Sequence, residues 1–211
     1  LPFNLTVFFA AMLIVRLYSK VTPRQIGRFG FSLCAVALIW LAFVVRNDWS
    51  SVPVLFGLIL FGIGQGSLVT LLFNVLVTSS PKELAGDVGS LRGTTNNLAA
   101  AVGTAVAGAL LVGLLSSAVV SQLAQNPTLP IEIQSEVNLN SITFVSNDQL
   151  ASVIAATSAS PEQKAEALRI NTVSRLLALK IGFLIMAGLA LLSILPAGRL
   201  PNYRPGEIPP P

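Results

Sequence analysis

Residues 52–78 read VPVLFGLILFGIGQGSLVTLLFNVLVT and contain no charged side chain. Residues 93–131 read GTTNNLAAAVGTAVAGALLVGLLSSAVVSQLAQNPTLPI and contain none either. Crossing ~30 Å of hydrocarbon takes about 20 apolar residues, so each run is long enough to span a bilayer. Lipid offers no partner to free backbone groups, and such runs therefore span as helices. The segment between them, SSPKELAGDVGSLR (79–92), is the polar loop of a transmembrane helical hairpin.

The composition of the whole chain agrees with this interpretation. Of 211 residues, 53% are apolar and only 10% are charged, whereas a soluble domain carries about 25% charge. The net charge of +4 comes from basic residues that lie between apolar runs, which is typical of membrane orientation signals and not of nucleic-acid binding. The chain has no histidine and one cysteine, Cys34. We therefore expect a protein of the lipid bilayer that is not an enzyme and has no metal or cofactor.

Hydropathy predicts five spanning helices, which makes the fold class an all-α polytopic membrane protein. The five segments are approximately residues 3–17, 29–45, 52–78, 93–120 and 176–195. The first is short for a crossing, and the helix of the fifth is expected to begin well before the membrane. The corresponding regions are helices one to four (1–118), an extracytoplasmic cap (119–170), the last transmembrane helix (171–197) and a proline-rich cytoplasmic tail (198–211).

Loop charges predict how these helices are oriented. The loop between the first two spans is basic without an acid, through Arg16, Lys20, Arg24 and Arg28, and such loops are cytoplasmic. The long loop before the last span holds five acidic and two basic residues between positions 121 and 170, so we expect it outside. The N-terminus is then outside and the C-terminus cytoplasmic. An odd number of spans with an outside start implies at least one missing helix upstream.

The outer loop is expected to be a folded cap, with a disordered linker as the alternative. Residues 131–134 and 141–145 are interpreted as a small hairpin. Residues 147–156 are expected to form a short amphipathic helix capped by Asn147. Ser160-Pro161-Glu162 combines a capping hydroxyl, a proline at the first helical position and an early acid, which predicts the start of the helix that continues into the last span.

Small residues recur every four positions in both helices of the hairpin. Gly62 and Gly66 are four apart, as are Ala99, Gly103 and Ala107. This spacing lets helix backbones approach closely in membranes. It predicts that the third and fourth spans are tightly packed interior helices, either as static packing or as a smooth sliding surface.

Uncharged polar residues within the spans are the candidates for a substrate path. No Asp or Glu lies in any of the five predicted spans, so the titrating acid of a proton-coupled carrier would lie elsewhere. Intramembrane amides need partners, and polar contacts that lock the bundle are the alternative to a path. The candidates are Gln65, Thr70, Asn74, Asn96, Asn97 and Thr104.

Three charged residues near the predicted spans have structural interpretations. Lys180 and Arg175 are expected to extend to the outer interface, because long basic side chains do so readily. Asp87 is interpreted as an acid that stabilises a helix N-terminus. The alternative for Asp87 is an ion pair with Arg92, or with basic loop residues, that acts as a gate.

The hairpin resembles a known family. FGIGQG (61–66), PKELAG (81–86), and NLAAAVG (97–103) with Gly108 resemble the major facilitator superfamily, and most closely its fourteen-helix drug:proton antiporter branch, the multidrug efflux permeases. The segment from Arg16 to Arg28 resembles the basic loop between the second and third helices of that family's C-terminal half. The chain departs from the family pattern at Ala99, where glycine is common.

The resemblance implies that the five spans are the last five helices of such a transporter, in its C-terminal helical bundle. The implied function is proton-coupled efflux of a small amphipathic substrate by alternating access, with the missing N-terminal half as partner. The implied location is a bacterial-type inner membrane. The alternative is a membrane scaffold that does not transport and binds partners through its outer cap.

Overall fold

A computed structural model describes residues 2–17, 20–46, 48, 51–78, 84–124, 146–156 and 160–202. All regular secondary structure in these residues is helical, as the sequence predicts. The helices are α1 (Pro2–Leu17), α2 (Pro23–Val44), α3 (Val52–Thr78), α4 (Ala85–Ala124), α5 (Asn147–Ala155) and α6 (Pro161–Ala197). The predicted hairpin at 131–145 and the tail from 203 onward lie outside the described residues.

Four of the helices, α2, α3, α4 and α6, are long and apolar enough to cross a membrane. The fifth predicted span, α1, is a shorter apolar helix of 16 residues. The chain is thus an integral, multi-pass membrane protein. The membrane helices extend beyond their predicted apolar cores, because α2 starts at Pro23, α4 covers Ala85–Ala124 and α6 starts at Pro161.

Three helices begin with the same capping device. Thr22, Ser146 and Ser160 each accept a hydrogen bond from the backbone N–H of a glutamine three residues later, and that glutamine's side chain accepts one from the capping residue's own N–H. This reciprocal pair satisfies two backbone donors that the helix itself leaves free. The start predicted at Ser160 is confirmed. The cap predicted at Asn147 is corrected to Ser146, because Asn147 is already the first helical residue.

The described chain divides into two compact units, Leu1–Gly103 with Phe183–Pro211, and Thr104–Gly182. In the first unit, α3 packs against both α1 and α2. A buried apolar cluster of Ile14, Ile26 and Leu71 joins these three helices at one end, and Leu200, just beyond α6, packs against it. At the other end, Trp40 Nε1 donates to the Pro53 carbonyl at 2.9 Å, which ties α2 to the start of α3.

In the second unit, polar contacts join α5 to α6. Asn147 Nδ2 donates to Thr172 Oγ1 and Asn171 Nδ2 donates to Asn147 Oδ1, both at 2.8 Å. Leu111 of α4 lies against Gly182 of α6, where an added Cβ would be 2.6 Å from a leucine methyl group. The described part of the predicted cap therefore includes an ordered helix on the N-terminal half of α6.

Candidate functional site

The glycines of α3 are where its neighbours approach most closely. A Cβ added to Gly66 would lie 2.5 Å from the Val7 carbonyl oxygen of α1. One added to Gly64 would lie 2.9 Å from the Gly30 carbonyl oxygen and 2.6 Å from the Cys34 sulfur of α2. Backbone contacts this short leave no room for a side chain, so α3 packs closely on α1 and α2 at these glycines, as the spacing of Gly62 and Gly66 predicts.

The contact of α2 with Gly64 was not predicted. Gly27, Gly30 and Cys34 of α2 are buried at spacings of three and four residues, which is the periodicity of one helix face. The spacing of these three residues is visible in the sequence and could have predicted that this face of α2 packs against a neighbouring helix.

The inner polar residues of α3 bond to their own helix. Thr70 Oγ1 donates to the Gly66 carbonyl at 3.0 Å, and Asn74 Nδ2 donates to the Thr70 carbonyl at 3.0 Å. Ser67, which is fully buried, likewise donates to the Ile63 carbonyl. Such bonds to the carbonyl four residues earlier satisfy a polar group without another helix. Thr70 and Asn74, four residues apart, are thus brought together in the structure.

Gln65 lies on another side of α3. At 3.6 residues per turn, it is about 140° from Thr70 and about 180° from Asn74. It shares its side with Val69 and Leu72, whose side chains are exposed. The Gln65 side chain is half-buried and forms no hydrogen bond within the described part of the chain. The three predicted path residues of α3 therefore do not share one face.

The candidates on α4 are all exposed. Asn96, Asn97 and Thr104 form no side-chain hydrogen bonds among the described residues. Asn97 and Thr104 are seven residues apart and lie within about 20° of each other around the helix, while Asn96 is offset. An added Cβ at Gly93, Gly103 or Gly108 would meet nothing within 4 Å.

The predicted interior position of α4 is therefore not realised at Ala99 and Gly103, which are exposed, whereas Ala107 is half-buried. Only 6% of the apolar window of α4 is buried. Further along the helix, Leu115 and Ala118 are buried.

The predicted basic loop is mostly helical. Arg16 lies in the last turn of α1, and Arg24 and Arg28 lie in the first turns of α2, so that Lys20 alone of the four lies in the connection. The helix begins earlier than predicted because Thr22 and Pro23 supply a cap and a favourable first residue.

The first turn of α2 binds the chain that follows α6. Arg24 Nε donates to the Leu200 carbonyl at 3.1 Å, and the Arg24 backbone N–H donates to the Pro201 carbonyl at 3.2 Å. Thr22 Oγ1 donates to Asn202 Oδ1 at 3.1 Å. These contacts join residues about 180 positions apart, and no local sequence signal predicts them.

Asp87 and Arg92 both lie in α4. Asp87 is in the first turn of the helix, as its interpretation as a stabilising acid requires. The Arg92 guanidinium lies over the Phe73 ring of α3, 4.6 Å from the ring centre. Among the described residues these two do not form an ion pair with each other; the ion pair found there joins Arg169 to Glu166.

The second unit holds two polar atoms that are buried without a hydrogen-bond partner in the described part of the chain. They are Ser174 Oγ and Arg175 Nε, in the half of α6 near the predicted outer interface. Lys180, one turn further along, is half-buried. No group of acidic or cysteine side chains suited to a metal ion occurs in the described residues.

Comparison with known proteins gives a match that lies almost entirely in the first of the two units. The family model of the Major Facilitator Superfamily matches residues 2–104. No curated protein and no solved structure matches the chain significantly. The matched residues contain α1, α2, α3 and the first half of α4, and so include the close-packed glycines of α3. Residues 2–104, just under half of the chain, are therefore similar to the major facilitator superfamily.

Proposed function

We propose that this chain is the C-terminal part of a proton-coupled secondary transporter that exports hydrophobic or amphipathic compounds. The observation that carries the proposal is the family match over residues 2–104. In such carriers, substrate binds near the bilayer midplane between two helical halves, which rock to open the site to either side. The partner of this chain is then the N-terminal half, which holds the titrating acid.

The uncovered face of α3 supports a path at Gln65. The neighbours α1 and α2 occupy the sides of α3 marked by Gly66 and Gly64, and Gln65 lies between those sides, next to exposed Val69 and Leu72. An amide within the membrane needs a partner, and the described residues do not provide one. The proposed partner is water or substrate in a cavity against the other half.

The amides of α4 support the same arrangement. Asn97 and Thr104 are exposed on one stripe that also contains Gly93 and Gly108. A stripe of amide, hydroxyl and glycine offers both close approach and hydrogen bonds to whatever covers it. We propose Asn97 and Thr104 as secondary lining residues, with Asn96 at their margin.

The orientation belongs to the proposal as well. The basic residues between α1 and α2, and the acidic excess before α6, place the N-terminus of this chain outside and its C-terminus in the cytoplasm. The proposed location is a bacterial-type inner membrane.

Efflux of a fluorescent amphipathic dye by the full transporter containing this segment tests the role of Gln65. Gln65→Leu is expected to reduce efflux at least about tenfold at equal membrane abundance, because loss of a path contact of about 1.4 kcal/mol changes a rate by that factor. Ser67→Ala is the matched control, since Ser67 is buried and bonded to its own helix. Unchanged efflux by Gln65→Leu would remove Gln65 from the path, and no efflux by the parent would reject drug export.

A second experiment tests the need for the other half. Residues 1–211 in liposomes with an imposed pH gradient are expected to export no dye, because a site between two halves is incomplete with one of them. Coexpression with the upstream helices is expected to restore export. Gradient-dependent export by residues 1–211 alone would contradict the proposal.

A further inference from the structure

Five basic residues lie at one end of the first unit, in which the described acidic residues are Asp48 and Asp87. Residues 2–46, 52–78 and 183–202 contain no Asp or Glu. The ends of α1, α2 and α3 meet there around Ile14, Ile26 and Leu71, with Leu200 from beyond α6. The cations at these ends are Arg16, Lys20, Arg24, Arg28 and Arg199.

The docked chain after α6 brings the backbone next to Arg199 close to the Arg28 side chain. Arg24 donates hydrogen bonds to the Leu200 and Pro201 carbonyls. In the same segment, Gly198 lies against Arg28. A Cβ added to Gly198 would lie 3.0 Å from Arg28 Nη2. Arg199 is the next residue, and consecutive Cα atoms are about 3.8 Å apart. A guanidinium group and the backbone of a second arginine are thus held side by side.

Neither of these two side chains has a protein partner in the described residues. Arg24 is occupied by a carbonyl oxygen, but Arg28 and Arg199 are exposed and form no side-chain hydrogen bond or ion pair there. An anion within reach of both side chains would accept hydrogen bonds from several of their N–H groups.

The surface around the pair is apolar. Phe29, next to Arg28, is 52% exposed, and Leu195, one turn before Arg199, is 73% exposed. Both lie on helices long and apolar enough to cross a membrane, and we expect their exposed side chains to face lipid near the arginines. A ligand that fits has a phosphate for the arginines and acyl chains for the apolar rim.

We propose that Arg28 and Arg199 form a binding site for the headgroup of an anionic phospholipid. The site requires only that the chain spans a membrane, and it is independent of whether the protein transports drugs. The lipid phosphate lies between the two guanidinium groups, and its acyl chains lie along Phe29 and Leu195.

Native mass spectrometry of the full chain in detergent tests the site, with phosphatidylglycerol and phosphatidylcholine of identical acyl chains as probes. Phosphatidylglycerol is expected to bind more tightly. The double variant Arg28→Gln/Arg199→Gln is expected to weaken that binding about 30-fold, at about 1 kcal/mol for each lost cation. Arg28→Lys/Arg199→Lys is expected to retain most of it.

Arg46→Gln/Lys164→Gln is the matched control, because it removes the same number of positive charges from positions elsewhere that form no ion pair among the described residues, and it is expected to leave binding unchanged. Equal binding of the two lipids by the parent, or an equal loss in the control, would overturn the proposal. So would thermal stabilisation of the parent by inorganic phosphate as large as that by phosphatidylglycerol. These tests on the parent decide the proposal even if the double glutamine variant does not fold.

Discussion

Helices α3 and α4 share a composition rich in small residues but have different surroundings. Both are rich in small residues, and neither has a charge along its central stretch. The glycines of α3 touch backbone atoms of α1 and α2, whereas Gly93, Gly103 and Gly108 of α4 meet nothing within 4 Å. A small-residue stripe thus indicates that a helix can be approached closely. It does not indicate which neighbour approaches, or whether that neighbour belongs to the same chain.

The largest expected difference in stability between the two helices is between a buried leucine in α3 and an exposed leucine in α4. Leu71→Ala in α3 is expected to lower the free energy of unfolding by about 2–5 kcal/mol, because Leu71 is 2% exposed and its loss leaves a cavity in the cluster with Ile14 and Ile26. Leu98→Ala in α4 is the control, since Leu98 is 63% exposed. Chemical unfolding in detergent measures both. Equal losses would show that α4 is as well packed as α3.

Adding a methyl group at a glycine is expected to change the stability in opposite directions in the two helices. Gly66→Ala is expected to destabilise the chain by about 1–3 kcal/mol, because the new methyl would overlap the Val7 carbonyl oxygen. Gly103→Ala is expected to stabilise it by up to about 1 kcal/mol, since alanine is the better helix former and has free space. Thermal unfolding of the two variants is the measurement. Destabilisation by Gly103→Ala would reveal a neighbour on α4.

The glycine variants also extend the comparison of α3 with α4 to the complete transporter. If the uncovered face of α4 packs on the proposed other half, Gly103→Ala should leave the stability of residues 1–211 intact and reduce dye efflux by the full protein. Unchanged efflux would mean that this face stays in contact with lipid.

The smallest expected effect is where α4 touches α3. Arg92→Gln is expected to cost about 0.5–1 kcal/mol, the usual contribution of a cation over an aromatic ring that is exposed, as Phe73 is. A double-mutant cycle with Phe73→Leu should give a coupling energy of that size. A coupling energy of zero would show that the Arg92–Phe73 contact does not hold α4 to α3.

Most of the helices could be predicted from hydropathy and capping residues. Ser160 with Pro161 marked the start of α6 correctly, since a cap depends on three or four consecutive residues. The start of α2 was placed six residues late because Arg24 and Arg28 were counted as loop residues. Charged side chains are tolerated where a helix leaves the hydrocarbon. The two arginines therefore marked the start of the apolar core of α2 and not the start of the helix.

The candidate site was less predictable. Gln65, Thr70 and Asn74 were grouped by their depth along α3. The depth of a residue does not determine which face of the helix it lies on. The structure shows Thr70 and Asn74 bonded to their own backbone and Gln65 on the uncovered side. Only the positions of α1 and α2 reveal which side is uncovered.

The sequence by itself determined that this chain spans a membrane as helices, because apolar runs in lipid must satisfy their backbone hydrogen bonds internally. It also determined that α6 starts at Ser160 and Pro161, through a cap that depends on neighbouring residues alone. The tertiary structure decided which glycines are contacts, that Arg24 binds the chain beyond α6, and that Arg28 lies beside Gly198. These depend on residues up to about 180 positions apart, and no local pattern encodes which distant surface a side chain will meet.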